Sequence, residues 1–537
     1  MEGNGGQQIA EVLKRHGVTA IYSLSGAQIW PIYDGCVARD IRIVDVRHEA
    51  TAGFAAEGHA KLTRSIGVAA GTAGPGVTNL VSAVASAAAA GSSLVALGGR
   101  APQGRWGSGS LQELDHVPIL DSLCKVARTV FDPAEVAAGT HDAVVAALTP
   151  HRGPVFVDVP LDTMFSTAEA RVPEAGERPR GSDPDPESVG AAAAVLAEAR
   201  RPVVVAGSDV WWEGAWEPLR RLVEHLRLPV VCNGLARGCI PAGHELAVSR
   251  ARSVALKEAD AVMVVGTPLD FRLGFGRFGD SRVIHVQDDP SVLGTHATPA
   301  ASVAGDLPGA LDAIASAVTP QPQWSDWAAR LREHELSRRE AEGADLLNDS
   351  SPIHPARVYG ALREVLDPDA VVICDGGDFV SYAGKYVDSY TPGCWLDPGP
   401  FGCLGTGLGY AMAARVVHPG RQVVLLLGDG AFGFSGMDFD TLVRHDLPVV
   451  AVVGNNGIWG LEKHPMRGLY GWDVAADLRQ ETRYDDVVTA LGGAGETVSE
   501  PSGIADALKR GFDSGVPYLV NVLIDPSVAY PRSSNLA

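Results

Sequence analysis

Cysteine is scarce in this chain. Its 537 residues include seven, Cys36, Cys124, Cys232, Cys239, Cys374, Cys394 and Cys403, an odd number with no CxxC spacing. A disulfide framework is therefore not expected, and the thiols read as reduced and mostly buried. Basic charge is also short: 44 Lys and Arg against 64 Asp and Glu leave a net charge of -20. No broad basic face remains to neutralise a phosphate backbone, which excludes nucleic acid as the expected partner. Long apolar runs are missing as well. The most membrane-like stretch, "VSAVASAAAAGSSLVALGG" (81–99), is rich in Ala, Ser and Gly and reads as a buried helix followed by a strand. No membrane attachment is expected. The opening residues MEGNGGQQIAEV carry no charged, apolar and small-residue export segment, which points to the cytoplasm.

What is present is ordinary globular composition, with 46% hydrophobic and 20% charged residues. At roughly 150 residues per domain the length suggests about three or four units. Two polar stretches, "EAGERPRGSDPDPES" (174–188) and "SRREAEGADLLNDSSPIHP" (337–355), cut the chain near thirds. The expected domains are 1–170, 186–336 and 354–537. Each third alternates short Val/Ile/Leu-rich runs with longer helical patterns, so the fold class is α/β, three doubly wound parallel sheets. In the first third "EATAGFAAEGHAKLT" (49–63) and "PGVTNLVSAVASAAA" (75–89) read as helices between strands. The first and last thirds share strand, glycine turn, helix and strand.

The last third holds an acidic residue where a buried strand should simply stop: "LLLGDGAFGF" (425–434). Before the next apolar run, "VVAVVGNN", there is room for one helix and two short turns. Two strands joined by one helix lie parallel through a right-handed crossover and end at the same sheet edge. Asp429 and Asn456, 27 residues apart, then share the crevice where open α/β sheets bind ligands. A carboxylate and a carboxamide oxygen are hard ligands for Mg²⁺, whose octahedral shell is completed by water and phosphate oxygens. Gly428, Gly430 and Gly433 let the backbone approach a diphosphate closely.

GDG followed by NN in "GDGAFGFSGMDFDTLVRHDLPVVAVVGNNGIWG" resembles the cofactor motif of the thiamine diphosphate (ThDP) enzymes. The resemblance implies pyrimidine-binding, central and diphosphate-binding domains in that order. It implies that Asp429 and Asn456 bind Mg²⁺ through side chains and Ile458 through its carbonyl, with Gly428, Gly430 and Ala431 near the diphosphate. Leu404 in "FGCLGTGLGY" matches the bulky residue that bends the cofactor. Glu49 in "VDVRHEATAGFAAEGHAKLT" matches the catalytic glutamate that faces N1′ of the aminopyrimidine and promotes its imino tautomer. In this family that glutamate and the Mg²⁺ ligands come from different subunits, which implies a homodimer or homotetramer with shared active sites.

Within the family the layout, with "GSLQELDH", resembles the acetolactate synthase large subunit. "GFSGMDFDTLVRHDLPVV" and "NNGIWG" look like oxalyl-CoA decarboxylase and 2-hydroxyacyl-CoA lyase, and "LSGAQI" and "VRHEATAGFAAEG" like benzaldehyde lyase. Gln112 matches a glutamine that approaches the cofactor-bound intermediate. Leu111 stands where acetolactate synthase usually has Phe, and Gln28 replaces the histidine of benzaldehyde lyase. Ser25, Trp459, Leu461 and Glu462 join the expected substrate pocket, as does Arg532 of the tail "SVAYPRSSNLA", which with Ser533 and Ser534 offers groups for CoA phosphates. FAD enters with the resemblance to acetolactate synthase. In "GTPLDFRLGFG" Asp270 and Arg272 match that enzyme's GxRFDDR pattern, Pro268 replaces its first arginine, and no GMHG-like segment is present. The implied reaction makes or breaks a carbon–carbon bond beside a carbonyl, with a 2-oxo acid, an aldehyde or ketone, or an acyl-CoA as substrate.

Overall fold

Runs such as "VVLLLG" and "VAVVGN" are apolar on both faces, so they form strands only when helices cover both sides of a sheet. The computed structural model, which describes residues 1–531, has three such sheets, each wholly parallel. In spatial order the first contains Arg42–Asp45, Ala20–Ser23, Gly67–Gly71, Leu94–Arg100, Val155–Pro160 and Val126–Thr129. The second runs Val230–Cys232, Pro202–Ala206, Ala261–Val265, Arg282–Gln287 and Ala301–Ala304. The third runs Trp395–Leu396, Val371–Asp375, Val423–Gly428, Val450–Asn455, Tyr518–Leu523 and Ala494–Val498.

Numbered along the chain, the six strands of the first and third sheets take the same spatial order, 2-1-3-4-6-5, and the second sheet follows 2-1-3-4-5. Each sheet therefore reverses winding between its first and third strands. Loops part there at the carboxyl edge, and ligands enter.

The first and third sheets share one apolar core. Helix Glu49–Thr63 lies against helix Thr406–Val417 with glycines at the contact: a methyl at Gly409 would sit 2.7 Å from the Ala55 amide nitrogen, and one at Gly58 2.8 Å from the Tyr410 ring. Buried charge is paired within that contact. Lys61 Nζ lies 2.9 Å from Glu57 Oε1 and donates to Tyr410 Oη at 2.8 Å, and Tyr410 donates to Glu57 Oε2 at 2.9 Å.

Three sequence expectations need correction. The polar stretch 337–355 is helical as far as Leu346, the end of the 25-residue helix Pro322–Leu346. Distant segments hold this helix: Glu335 accepts the Arg250 and Ala251 amides at 2.6 and 3.1 Å, and Arg339 donates to Asp388 at 2.8 Å. Between Gly428 and Val450 the chain forms two short helices, Asp429–Ser435 and Phe439–Arg444, rather than one. Asp438 at their junction accepts the Arg47 amide at 2.7 Å and the Thr51 hydroxyl at 2.6 Å, which anchors the turn. The helix expected over 75–89 is divided into Pro75–Thr78 and Val81–Ala89; Asn79, at the division, turns its amide to Glu49. Among the described residues no helix is long and apolar enough to cross a membrane.

Candidate active site

Strands Val423–Gly428 and Val450–Asn455 pair in register up to Gly428 opposite Gly454. Asp429 and Asn456 therefore emerge side by side just past the last paired residues. Both are buried, at 3% and 8% exposure. Asp429 Oδ1 accepts the Gly430 amide at 2.9 Å and Oδ2 the Gly457 amide at 2.7 Å. Burial nevertheless dominates and pushes its carboxyl up to about 6. Asn456 Oδ1 accepts the Ile458 amide at 3.2 Å. These oxygens line a cavity of about 590 Å³ at the winding reversal of the third sheet, between the ends of strands Val371–Asp375 and Val423–Gly428.

The glycines at this edge make room for bulky neighbours. The Trp459 ring lies 2.4 Å from where a Cβ on Gly430 would sit, and the Leu404 side chain 1.9 Å from the same position on Gly376, whose φ is +64°. No side chain other than hydrogen fits at either point. Leu404 is placed by Asp375, a fully buried residue outside the expected site. Its two oxygens accept the Gly405 and Gly407 amides at 3.0 and 2.9 Å, fixing the start of helix Thr406–Val417. Burial pushes the Asp375 carboxyl up to about 7. The available signal was an acidic residue at the end of the apolar run "VVICD", the same pattern as in "LLLGD".

Of the expected site residues, Leu404, Gly428, Asp429, Gly430, Ala431, Asn456 and Ile458 line this cavity. Trp459, Leu461 and Glu462 line it too. Glu49, Gln28, Gln112, Ser25 and Leu111 belong to the first sheet's domain and do not. Gln28 donates to Gln112 Oε1 at 3.1 Å, and the Thr72 hydroxyl donates to Gln28 Oε1, so the two glutamines meet at the first sheet's own winding reversal. Gln112 holds a left-handed φ of +61°. Ser25 is exposed and Leu111 is 81% exposed. Glu49 begins helix Glu49–Thr63, is buried, and accepts the Asn79 amide at 2.9 Å. Arg532, with Ser533 and Ser534, lies outside the described residues.

The central domain was the expected place for a flavin. Its winding reversal is occupied by the chain itself: His151 contacts Asp288 at 3.0 Å, while Arg152 pairs with Asp288 and Glu213 and lies over the Trp212 ring at 5.4 Å. Burial pulls His151 down, but Asp209 and Asp288 outweigh it and raise it to about 9. A small cavity beside these pairs is lined by Ser208, Asp209, Thr267, Pro268 and Arg272.

Sequence profiles agree with this architecture over most of the chain. The thiamine pyrophosphate enzyme N-terminal TPP binding domain matches residues 3–119, the central domain 189–314 and the C-terminal TPP binding domain 375–522. The chain belongs to the thiamine pyrophosphate enzyme family. This thiamine pyrophosphate enzyme is 52% identical to the acetolactate synthase large subunit IlvG of Mycobacterium tuberculosis, over 99% of this chain and 98% of that one. It is 34% identical to the 2-hydroxyacyl-CoA lyase 2 of Homo sapiens and of Caenorhabditis elegans, in both cases over 97% of this chain and over 90% and 89% of theirs.

Proposed function

We propose that the protein uses ThDP and Mg²⁺ to decarboxylate a 2-oxo acid and join the remainder to an acceptor carbonyl, in the manner of acetolactate synthase. The observation that carries this reading is the pair of buried oxygen ligands, Asp429 and Asn456, at adjacent strand ends in the 590 Å³ cavity. A buried carboxylate held up by desolvation gains when a cation arrives, and a carboxamide and a backbone carbonyl complete a hard donor set suited to Mg²⁺.

When bound, ThDP supplies a nucleophilic thiazolium carbon and a sink for the electron pair released from the substrate. The chain does the rest. Asp429, Asn456 and the Ile458 carbonyl hold the metal, and Gly428, Gly430 and Ala431 let the backbone approach the diphosphate. Leu404 would pack against the bound cofactor from the wall it lines. Glu49 holds a proton at N1′ of the aminopyrimidine, and Gln28 and Gln112 orient a carbonyl or hydroxyl by hydrogen bonds. Glu49 reaches the Asp429 cavity of a second copy, so the working unit is a homodimer or a homotetramer.

A second reading, 2-hydroxyacyl-CoA lyase, is supported by the segments "GFSGMDFDTLVRHDLPVV" and "NNGIWG" and by the 34% identity to 2-hydroxyacyl-CoA lyase 2, while Pro268 departs from the acetolactate synthase pattern. The test supplies the protein, ThDP and Mg²⁺ with pyruvate in one reaction and with formyl-CoA plus an aldehyde in another, with products identified by mass spectrometry. Acetolactate and CO₂ support the first reading, and a 2-hydroxyacyl-CoA supports the second. Neither product from cofactor-loaded protein would reject both.

A further inference from the structure

The cavity has two unlike walls. One comes from the third sheet and carries Asp429, Asn456 and Trp459. The other comes from the central domain and carries Asn233, Arg252, Phe271 and Arg272. Arg272 is already neutralised, since its Nε and Nη2 reach both oxygens of Asp270 at 2.6 to 3.1 Å. Arg252 is different. Its guanidinium donates to the Arg272 carbonyl at 2.9 Å, and among the described residues no Asp or Glu pairs with it. Burial pulls its pKa down, and the neighbouring Arg272 pulls it down further. Beside it Phe271 is 47% exposed, a large apolar ring left facing open space.

Burying part of a cation without a counter-charge is unfavourable, and in a chain of net charge -20 acidic residues were plentiful. A ligand that brings its own negative charge relieves the strain. We propose that Arg252 receives the anionic group of the substrate, a carboxylate or a phosphate, on the wall facing the cofactor-binding residues, with Phe271 covering the adjoining apolar part. This assignment rests on the reading given under Proposed function. A 2-oxo acid offers the anion as its carboxylate and an acyl-CoA as its phosphates; the chemistry at the guanidinium is the same.

The test compares wild type with Arg252→Gln and Arg252→Lys on three substrates: pyruvate, formyl-CoA and an uncharged aldehyde. ThDP affinity is measured separately by quenching of tryptophan fluorescence. The expected result for Arg252→Gln is a KM for the anionic substrate raised about tenfold or more, the effect of losing a charge-assisted hydrogen bond. kcat and ThDP affinity stay within a few-fold, the aldehyde KM does not move, and Arg252→Lys recovers most of the loss. A shift confined to pyruvate identifies a carboxylate, and one confined to formyl-CoA a phosphate. An unchanged KM, or a loss of ThDP affinity in place of it, overturns the assignment. If wild type turns over neither substrate, calorimetric titration of the unreacted protein with pyruvate and with CoA decides. Binding that Arg252→Gln abolishes supports the anion site even as the catalytic reading fails, and binding that the variant leaves intact, or that wild type lacks, overturns it.

Discussion

Asp429 and Glu49 have separable tasks at the scale of single residues, because only the first lines the cavity. Asp429→Ala removes the one carboxylate in the expected metal shell. Equilibrium dialysis should show Mg²⁺ and ThDP retention weakening together, by about tenfold or more. Glu49→Gln should keep ThDP bound yet lose on the order of 10²-fold or more in turnover, the usual scale of a proton-handling group; undiminished turnover would remove Glu49 from catalysis. Asp375 gives a pH dependence. Its carboxyl titrates at about 7 in the folded protein against 3.8 when unperturbed, so the native state binds a proton that the unfolded chain releases. The associated stability is present below about pH 4 and is lost as pH rises through 7, a change on the order of a few kcal/mol. Asp375→Asn cannot titrate. Urea unfolding should therefore show its deficit against wild type shrinking from pH 5 to pH 8; a deficit that stays constant rules out Asp375 as the titrating group. Asp429 and Asn456 were legible in the sequence because two residue types with metal chemistry recur at consecutive strand ends. Asp375 also ends an apolar run, but no second metal-binding residue type recurs beside it, and its amide partners Gly405 and Gly407 lie 30 and 32 residues away, so its task was not read from the letters.

At the scale of elements, helix Glu49–Thr63 matches the sequence reading to the residue, since a strand precedes it and Arg64, at φ +57°, ends it. The pattern does not disclose its neighbour. The contact with helix Thr406–Val417 depends on Gly58 and Gly409 and on the Lys61, Glu57 and Tyr410 hydrogen bonds, positions 349 and 353 residues apart for the two bonds to Tyr410. Lys61→Met would leave Glu57 buried without its cation, at a cost of about 3–5 kcal/mol. Urea unfolding measures it, and adding Glu57→Gln to the same chain should recover part of the loss; a double variant no more stable than the single one would show that the charge pairing is not the cause. Helix Pro322–Leu346 illustrates the opposite failure of pattern reading. Its second half is polar on every side and reads as a linker, yet Glu335 and Arg339 are bound to Arg250, Ala251 and Asp388 from segments far away in sequence. Long-range hydrogen bonds and an ion pair hold a helix that amphipathicity does not announce.

At the scale of the whole molecule, the matching strand order of the first and third sheets places two similar crevices in one chain, one with Gln28 and Gln112 and the other with Asp429 and Asn456. The parallel α/β plan was legible from runs of Val, Ile and Leu. The shared order was not, because it resides in which strands are neighbours. Within one chain Glu49 faces Asn79 and the neighbouring segment is tied to Asp438, away from the cavity. The chain also exposes Leu111, Phe434, Leu469 and Trp472, each more than half exposed, the kind of apolar surface that subunit contacts cover. If each active site takes Glu49 from one subunit and Asp429 from the other, chains carrying Glu49→Gln and chains carrying Asp429→Ala are each inactive alone but complementary when co-expressed. A hybrid dimer has one site with both groups intact and one with neither. Random pairing makes about half the dimers hybrid, so the mixture should recover roughly a quarter of wild-type activity. Sites confined to single chains would give no recovery, because every chain then carries one fatal substitution. Separating the hybrid by differently tagged chains sharpens the measurement: its activity should approach about half that of wild type, and an inactive hybrid would exclude the shared site.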